Sequence, residues 1–200
     1  MENKNSTVLL IGGAGYVGSV VTQHLLEMGY AVRCFDNLIY KNHAAPESFL
    51  GHPNYDFQYG TLCNSIALEN AAEGVSHVVL LAGLVGDPIT KKYPDESDSI
   101  NVHGVQDSFE ILRGKGIQKL IFISTCSNYG LMEEGVLANE ESTLTPLSLY
   151  AKAKVAAEEK LLNMKGEVDY CPTVLRFATA FGLSPRMRFD LTVNEFTREL

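Results

Sequence analysis

The run Val8-Leu9-Leu10-Ile11 leads straight into Gly12-Gly13-Ala14-Gly15-Tyr16-Val17-Gly18, and the residues from Tyr16 to Val21 carry the apolar spacing of a helix. A strand that turns through glycines at every third position directly into a helix has few folds open to it, because the helix must lie back over its own strand at close range. Gly12 would permit the tight turn, Gly15 the approach of a ligand to the backbone, and Gly18 the packing of helix on strand; a side chain at any of these would intrude. The first-turn amides and the helix dipole are then free to receive a pyrophosphate, with Tyr16 and Val17 in that turn.

The rest of the chain agrees with an open α/β sheet. Short runs rich in Val, Ile and Leu, near 7–11, 31–36, 55–59, 76–82, 118–124 and 171–177, alternate with stretches of helical period near 16–28, 64–72, 96–114, 147–165 and 188–199. This is the pattern of a doubly wound parallel sheet with helices on both faces. Pro94 before the long third helix and Gly114 and Gly116 after it, like Gly29 after the first, supply local stops. Residues 1–182 read as one domain; from 183 to 200 the alternation gives way to Pro185, Arg186, Arg188 and mixed polarity.

The second strand ends on Asp36, followed by Asn37 and Leu38. An acid there can accept hydrogen bonds from both hydroxyls of an adenosine ribose, and its charge opposes a 2′-phosphate, which favours NAD over NADP. Arg33 and Lys41 are close enough in sequence to keep the other cofactor open, and a plain strand-end acid or helix cap is the bland alternative.

Bulk properties narrow the partners. With 200 residues, 46% of them hydrophobic, the chain can bury one sizeable core. A net charge of −8 argues against nucleic acid or an anionic membrane surface as partner. The polar start MENKNST lacks the pattern of a secretory signal and the apolar runs are too short to span a bilayer, so a cytoplasmic location is expected. Cys34, Cys63, Cys126 and Cys171 lie in or near apolar runs without ligand spacing and read as reduced core thiols; no metal site is expected.

Tyr150 and Lys154 stand four apart in LSLYAKAKVAAEEKLL, so on a helix they share one face. A phenol with an ordinary pKa near 10 must fall by roughly three units to act as a base near neutrality, about 4 kcal/mol of added phenolate stabilisation. A lysine ammonium and an oxidised nicotinamide ring can supply part of it. Alone, Tyr-x-x-x-Lys occurs on many ordinary amphipathic helices.

Here it has company. The glycine loop, Asp36-Asn37-Leu38, Leu81-Ala82-Gly83, Asn101-Val102-His103-Gly104, Ser124-Thr125-Cys126-Ser127-Asn128-Tyr129-Gly130, Tyr150-x-x-x-Lys154 and Leu175-Arg176-Phe177-Ala178-Thr179-Ala180-Phe181-Gly182 occur in that order. In this the chain resembles the extended short-chain dehydrogenase/reductases, and among them the NAD-dependent nucleotide-sugar epimerases and dehydratases typified by UDP-glucose 4-epimerase. The resemblance implies a Rossmann fold with NAD bound by the glycine loop, Asp36, Asn37, Leu38, Leu81, Ala82, Gly83, Tyr150 and Lys154. It implies Tyr150 as acid and base, Lys154 as ribose ligand lowering the Tyr150 pKa, and Thr125 as the hydroxyl partner, with Ser124 and Ser127 as neighbours able to take that place. Asn101 would bond backbone near the site. Thr125, Ser127, Tyr150 and Thr179 would face a nucleotide-sugar substrate, and a homodimer would form through helices near 96–114 and 147–165.

The implied reaction is oxidation of a sugar carbon and its re-reduction on the other face. Thr125-Cys126-Ser127 in place of Thr-Asp-Glu disfavours a dehydratase. A dehydrogenase or reductase acting on a small alcohol or ketone, or a regulatory dinucleotide-binding module without turnover, are the rival readings. Three departures from the family pattern stand out: Gly60-Thr61 where an acid often contacts adenine, Thr179 where an Asn is common, and the length. Members generally run past 300 residues, so 183–200 is expected to begin a substrate lobe that this chain does not complete, leaving an exposed apolar patch.

Overall fold

The computed structural model describes residues 6–85 and 87–200, without the side chains of Asp87, Pro88 and Lys91. In chain order the elements are β1 (Thr7–Ile11), α1 (Tyr16–Glu27), β2 (Ala31–Asp36), α2 (Ala44–Glu47), β3 (Tyr55–Tyr59), α3 (Ser65–Ala71), β4 (His77–Leu80), α4 (Asp87–Lys92) and α5 (Pro94–Ser97). A π-helical stretch (Asp98–Gly104), α6 (Val105–Ile111), β5 (Lys119–Thr125), a 3-10 turn (Cys126–Tyr129), α7 (Leu149–Asn163), β6 (Cys171–Phe177) and α8 (Thr192–Glu199) follow. All six strands are parallel and ordered β3-β2-β1-β4-β5-β6. The order reverses between β1 and β4, which opens a crevice at the carboxyl ends of those strands.

Burial on both faces explains the unbroken apolar runs. On β1, Leu9 and Ile11 join Phe109, Leu120, Phe122 and Leu161 in the larger core, while Val8 and Leu10 pack with Leu26 and Val32 on the opposite face. Phe109 meets Phe122 edge-on at 5.8 Å, a favoured arrangement for two ring quadrupoles. Each such side chain contributes about 1.5–3 kcal/mol on burial.

Three expectations are revised. The fourth strand stops at Leu80, because the Leu81 and Ala82 N–H groups both turn to donate to the Ile11 carbonyl (2.8 Å each) before Gly83 swings to φ +151. The long helix expected over 96–114 is three pieces, its middle widened to π geometry around Asn101, a feature often found beside functional sites. Of the four thiols only Cys34 lies in the core; Cys63, Cys126 and Cys171 are exposed. The short helices α2 and α4 were not anticipated.

The stretch after β6 returns over the first half of the sheet. Around it and along the β6 edge, Leu175, Phe177, Phe181, Leu183 and Phe196 are solvent-exposed. Among the described residues no helix is long and apolar enough to cross a membrane.

Candidate active site

The glycine loop is held as its sequence demands. Gly12 has φ +86 and donates its N–H to the Phe35 carbonyl (2.8 Å); a Cβ there would lie 2.6 Å from the Ala82 nitrogen. At Gly18 a Cβ would run into the Gly12 carbonyl oxygen and come within 2.7 Å of the Gly13 Cα, so helix and loop meet with no room between them. Gly15 differs. An added Cβ would meet only the Gly12 oxygen, at 3.2 Å, and Gly15 lines the open cavity.

Asp36 reaches back to this loop. Its Oδ2 accepts the Ala14 N–H (3.1 Å) and its Oδ1 the Leu38 N–H (2.8 Å), leaving lone pairs on both oxygens toward the cavity. Burial raises its pKa, and these two bonds together with the Arg186 charge pull the other way. Arg33 is committed elsewhere, to Asp56 (2.8 Å) and to the carbonyls of Ala71 and Glu73.

The cavity measures about 900 Å³, near the top of the ordinary range of roughly 300–1,000 Å³ for small-molecule sites. Gly12, Gly15, Tyr16, Val17, Gly18, Asp36, Asn37, Leu81, Ala82, Gly83, Thr125, Ser127, Tyr150, Lys154 and Thr179 all line it. Leu38 and Asn101 do not. Leu38 contributes its N–H to Asp36 from a left-handed backbone position (φ +53). Asn101 is buried, accepting the Leu84 N–H (2.8 Å) and donating to the Leu84 carbonyl (3.0 Å) and Ser97 Oγ (3.1 Å), so it fixes the loop after Gly83 from behind.

Strand alternation sorts the hydroxyls at the end of β5. Ser124 turns inward and donates to the buried Glu158 carboxylate, which also receives Asn128 Nδ2 (2.7 Å) and the Arg176 guanidinium (2.9 and 2.7 Å). Both line the cavity, but Thr125 keeps its hydroxyl out of that buried network, accepting the Ser127 N–H and donating to Ser127 Oγ, both at 3.2 Å. Ser148 caps α7 by accepting the Ala151 N–H (3.1 Å) and so sets the helix phase that turns Tyr150 and Lys154 to the same cavity.

The electrostatics depart from the expected pairing. The Lys154 ammonium donates to the Ile123 carbonyl (2.8 Å) and lies over the Phe122 ring at 4.4 Å, but 5.9 Å from the centre of the Tyr150 ring. Burial lowers its pKa to about 8, opposed by the Glu158 charge. Tyr150 is pushed up to about 12 by burial, and the cation that opposes this is Arg188, with Tyr40 and Cys126 raising it further. The phenol therefore holds its proton at neutral pH.

Arg188 was not foreseen, nor were the other wall residues Tyr40, Asn42 and Arg186. The Arg188 guanidinium is paired with Asp190 (2.6 Å), and Arg186 lies over the Tyr40 ring at 4.6 Å. Asn42 Nδ2 bonds the Ala14 carbonyl, leaving its buried Oδ1 without a partner in the cavity wall. Among the described residues no group of His, Cys, Asp or Glu is placed to hold a metal ion.

A parallel sheet in this order, a glycine turn at its switch point and a Tyr-x-x-x-Lys helix beside it define an α/β protein of the short-chain dehydrogenase/reductase class. More narrowly, the chain belongs to the NAD dependent epimerase/dehydratase family, whose model matches residues 8–198. It is 32% identical over 195 residues to UDP-arabinose 4-epimerase 1 of Arabidopsis thaliana, covering 90% of this chain and 44% of that one. It is 28% identical over 190 residues to the 3-beta-hydroxysteroid dehydrogenase of Mycolicibacterium neoaurum, covering 91% and 50%. A similar solved structure is UDP-glucuronic acid 4-epimerase from Bacillus cereus in complex with UDP-glucuronic acid and NAD, with TM-score 0.84, 25% identity, and coverage of 94% of this chain and 60% of that one. The chain spans about half the length of the curated relatives it matches.

Proposed function

We propose that this chain is the cofactor-holding and catalytic part of an NAD-dependent nucleotide-sugar 4-epimerase. The observation that carries the reading is the convergence of the glycine loop, Asp36, Thr125, Tyr150 and Lys154 on one cavity. The residues suit a dinucleotide: the loop leaves a backbone cradle beside Gly15, and Asp36 keeps lone pairs free for two ribose hydroxyls. Bound there, NAD would supply a hydride acceptor that later returns the hydride.

The residues divide the remaining work. Thr125 would hold the reacting sugar hydroxyl and Tyr150 take its proton as the carbon loses hydride, giving a keto sugar; the same phenol returns the proton when hydride is delivered to the other face. Because burial keeps Tyr150 protonated, it is ready as an acid, and service as a base requires positive charge beside it. Arg188, Lys154 and an oxidised nicotinamide are the charges within reach. Ser127 and Thr179 line the same cavity and would face the sugar, and Asn101 supports the loop after Gly83. Location in the cytoplasm and a homodimer through the α5–α6 region and α7 belong to the same proposal.

A second reading, an oxidoreductase that releases reduced cofactor, is favoured by the likeness to the steroid dehydrogenase. Incubating a catalytically complete form with NAD and UDP-sugars separates the two. An epimer formed without net absorbance at the reduced-nicotinamide band supports epimerisation; stoichiometric reduced cofactor supports the rival and overturns the first reading.

A further inference from the structure

The segment that follows β6 contributes Arg186 and Arg188 to the cavity wall and is fastened to the start of α1. Tyr16, the first residue of α1, donates its hydroxyl to the Gly182 carbonyl (2.7 Å) and accepts from Asn194 Nδ2 (3.0 Å). Ser184 Oγ donates to the Tyr16 carbonyl (2.7 Å) and lies 2.9 Å from Ser19 Oγ on the next turn of α1. Buried Asn194 completes the fastening, accepting the Gly182 N–H (2.9 Å) and donating to the Arg188 carbonyl (2.8 Å). Two residues beyond Ser184, Arg186 reaches the Tyr40 ring in the loop after β2, its charge within range of Asp36.

The fastening points coincide with the proposed cofactor contacts. Tyr16 opens the helix whose first turn is the pyrophosphate seat, and Tyr40 and Asp36 flank the ribose seat. A dinucleotide lying between them would have Arg186 and Arg188 in the wall beside it, and the Tyr16 and Ser184 bonds and the Arg186–Tyr40 contact would hold that wall in place. Retention has a chemical purpose in the proposed reaction, since an enzyme that takes a hydride and gives it back needs the same cofactor molecule for both halves.

We propose that Tyr16, Ser184 and Asn194 form a clasp that locks residues 182–188 beside the bound dinucleotide, with Arg186 on Tyr40 as its second fastening, and that this clasp sets how long the cofactor stays. The proposal rests on the cofactor reading above. It assigns to the Tyr16 hydroxyl a task distinct from the backbone contact that the glycine motif supplies.

The test is the release of radiolabelled NAD from the loaded 200-residue chain, chased with unlabelled NAD, for the parent and for Tyr16→Phe, Ser184→Ala and Arg186→Gln. Tyr16→Phe removes one oxygen and two of the bonds, and release is expected to quicken about tenfold, equivalent to about 1.4 kcal/mol. Ser184→Ala and Arg186→Gln, which alter the strap and leave the glycine loop intact, should act in the same direction. Limited trypsin digestion reports the strap itself: cleavage after Arg186 and Arg188 should be slow in the NAD-loaded parent and faster in Tyr16→Phe. Release within twofold of the parent in both Tyr16→Phe and Ser184→Ala, with trypsin protection unchanged, would overturn the clasp while leaving the cofactor site standing. A parent that binds no NAD sinks the cofactor reading, and the clasp with it.

Discussion

Alanine at each of the three motif glycines should separate what the glycine loop does for the fold from what it does for a ligand. At Gly12 the backbone is left-handed, costing an alanine about 1–2 kcal/mol, and the new Cβ would sit 2.6 Å from the Ala82 nitrogen, a backbone atom that cannot swing aside. Adding about 1–3 kcal/mol for overpacking gives a loss of roughly 2–5 kcal/mol for Gly12→Ala. Gly18→Ala meets the backbone of Gly12 and Gly13 but recovers about 1 kcal/mol of helix propensity, so its net cost is smaller. Gly15 has an ordinary φ of −72 and only one contact at 3.2 Å, so Gly15→Ala should change stability by about 1 kcal/mol or less. Its methyl would nevertheless stand where the ligand must approach, and NAD affinity should fall at least tenfold. Urea unfolding gives the first quantity and calorimetric titration with NAD the second. If Gly15→Ala bound NAD like the parent, or lost as much stability as Gly12→Ala, the division of roles among the glycines would be wrong.

Other consequences can be checked the same way. Arg176→Met strips the buried Glu158 carboxylate of its paired cation and should cost about 3–5 kcal/mol in urea unfolding, much of it restored in Arg176→Met/Glu158→Leu; a double variant no better than the single one would refute the pairing argument. Lys154 titrates near 8 in the fold but near its ordinary value of 10.5 when unfolded, so the unfolded chain binds more protons between those values and stability gains with rising pH there. Relative to Lys154→Met, the parent should therefore gain up to about 1.4 kcal/mol per pH unit as pH rises from 8 to 10, with the gap level below about pH 8 where both states carry the proton; a pH-independent gap across this range contradicts the burial of a charged amine. In a catalytically complete form, Tyr150→Phe should lower turnover at least ~100-fold, and a loss of only a few fold would mean that another group moves the proton.

Much of the fold was legible because a parallel sheet covered on both faces writes its strands as apolar runs. The six runs and the helix that opens at Tyr16 could be read directly. Where they stop was less legible: β4 ends at Leu80 because the Ile11 carbonyl captures two successive N–H groups, a tertiary event with no local mark. The π-helical middle of the long helix depends on Asn101 reaching Leu84, a partner 17 residues away. The helices α2 and α4 are too short to show a period.

The site was legible where its residues sit in ordered motifs. The period of β5 could also have separated Thr125 from Ser124, since Leu120, Phe122 and Ser124 share the inward face. Arg186, Arg188 and Asn194 were not legible as site residues. Asn194 meets Tyr16 across 178 residues and Arg186 meets the ring of Tyr40, yet all three lie in a stretch whose irregular composition marks only the end of the alternation. Spacing puts Tyr150 and Lys154 on one cavity, but it does not reveal how deeply the phenol is buried, and burial is what raises its pKa here.

The most direct test of the central claim is a calorimetric titration of this 200-residue chain with NAD, and with NADP for comparison, in parent and Asp36→Ala. The account predicts one saturable NAD site, weaker binding of NADP because its 2′-phosphate faces the Asp36 carboxylate, and a preference that shrinks in the variant. A well-folded parent that binds neither nucleotide, or that prefers NADP regardless of Asp36, would contradict it.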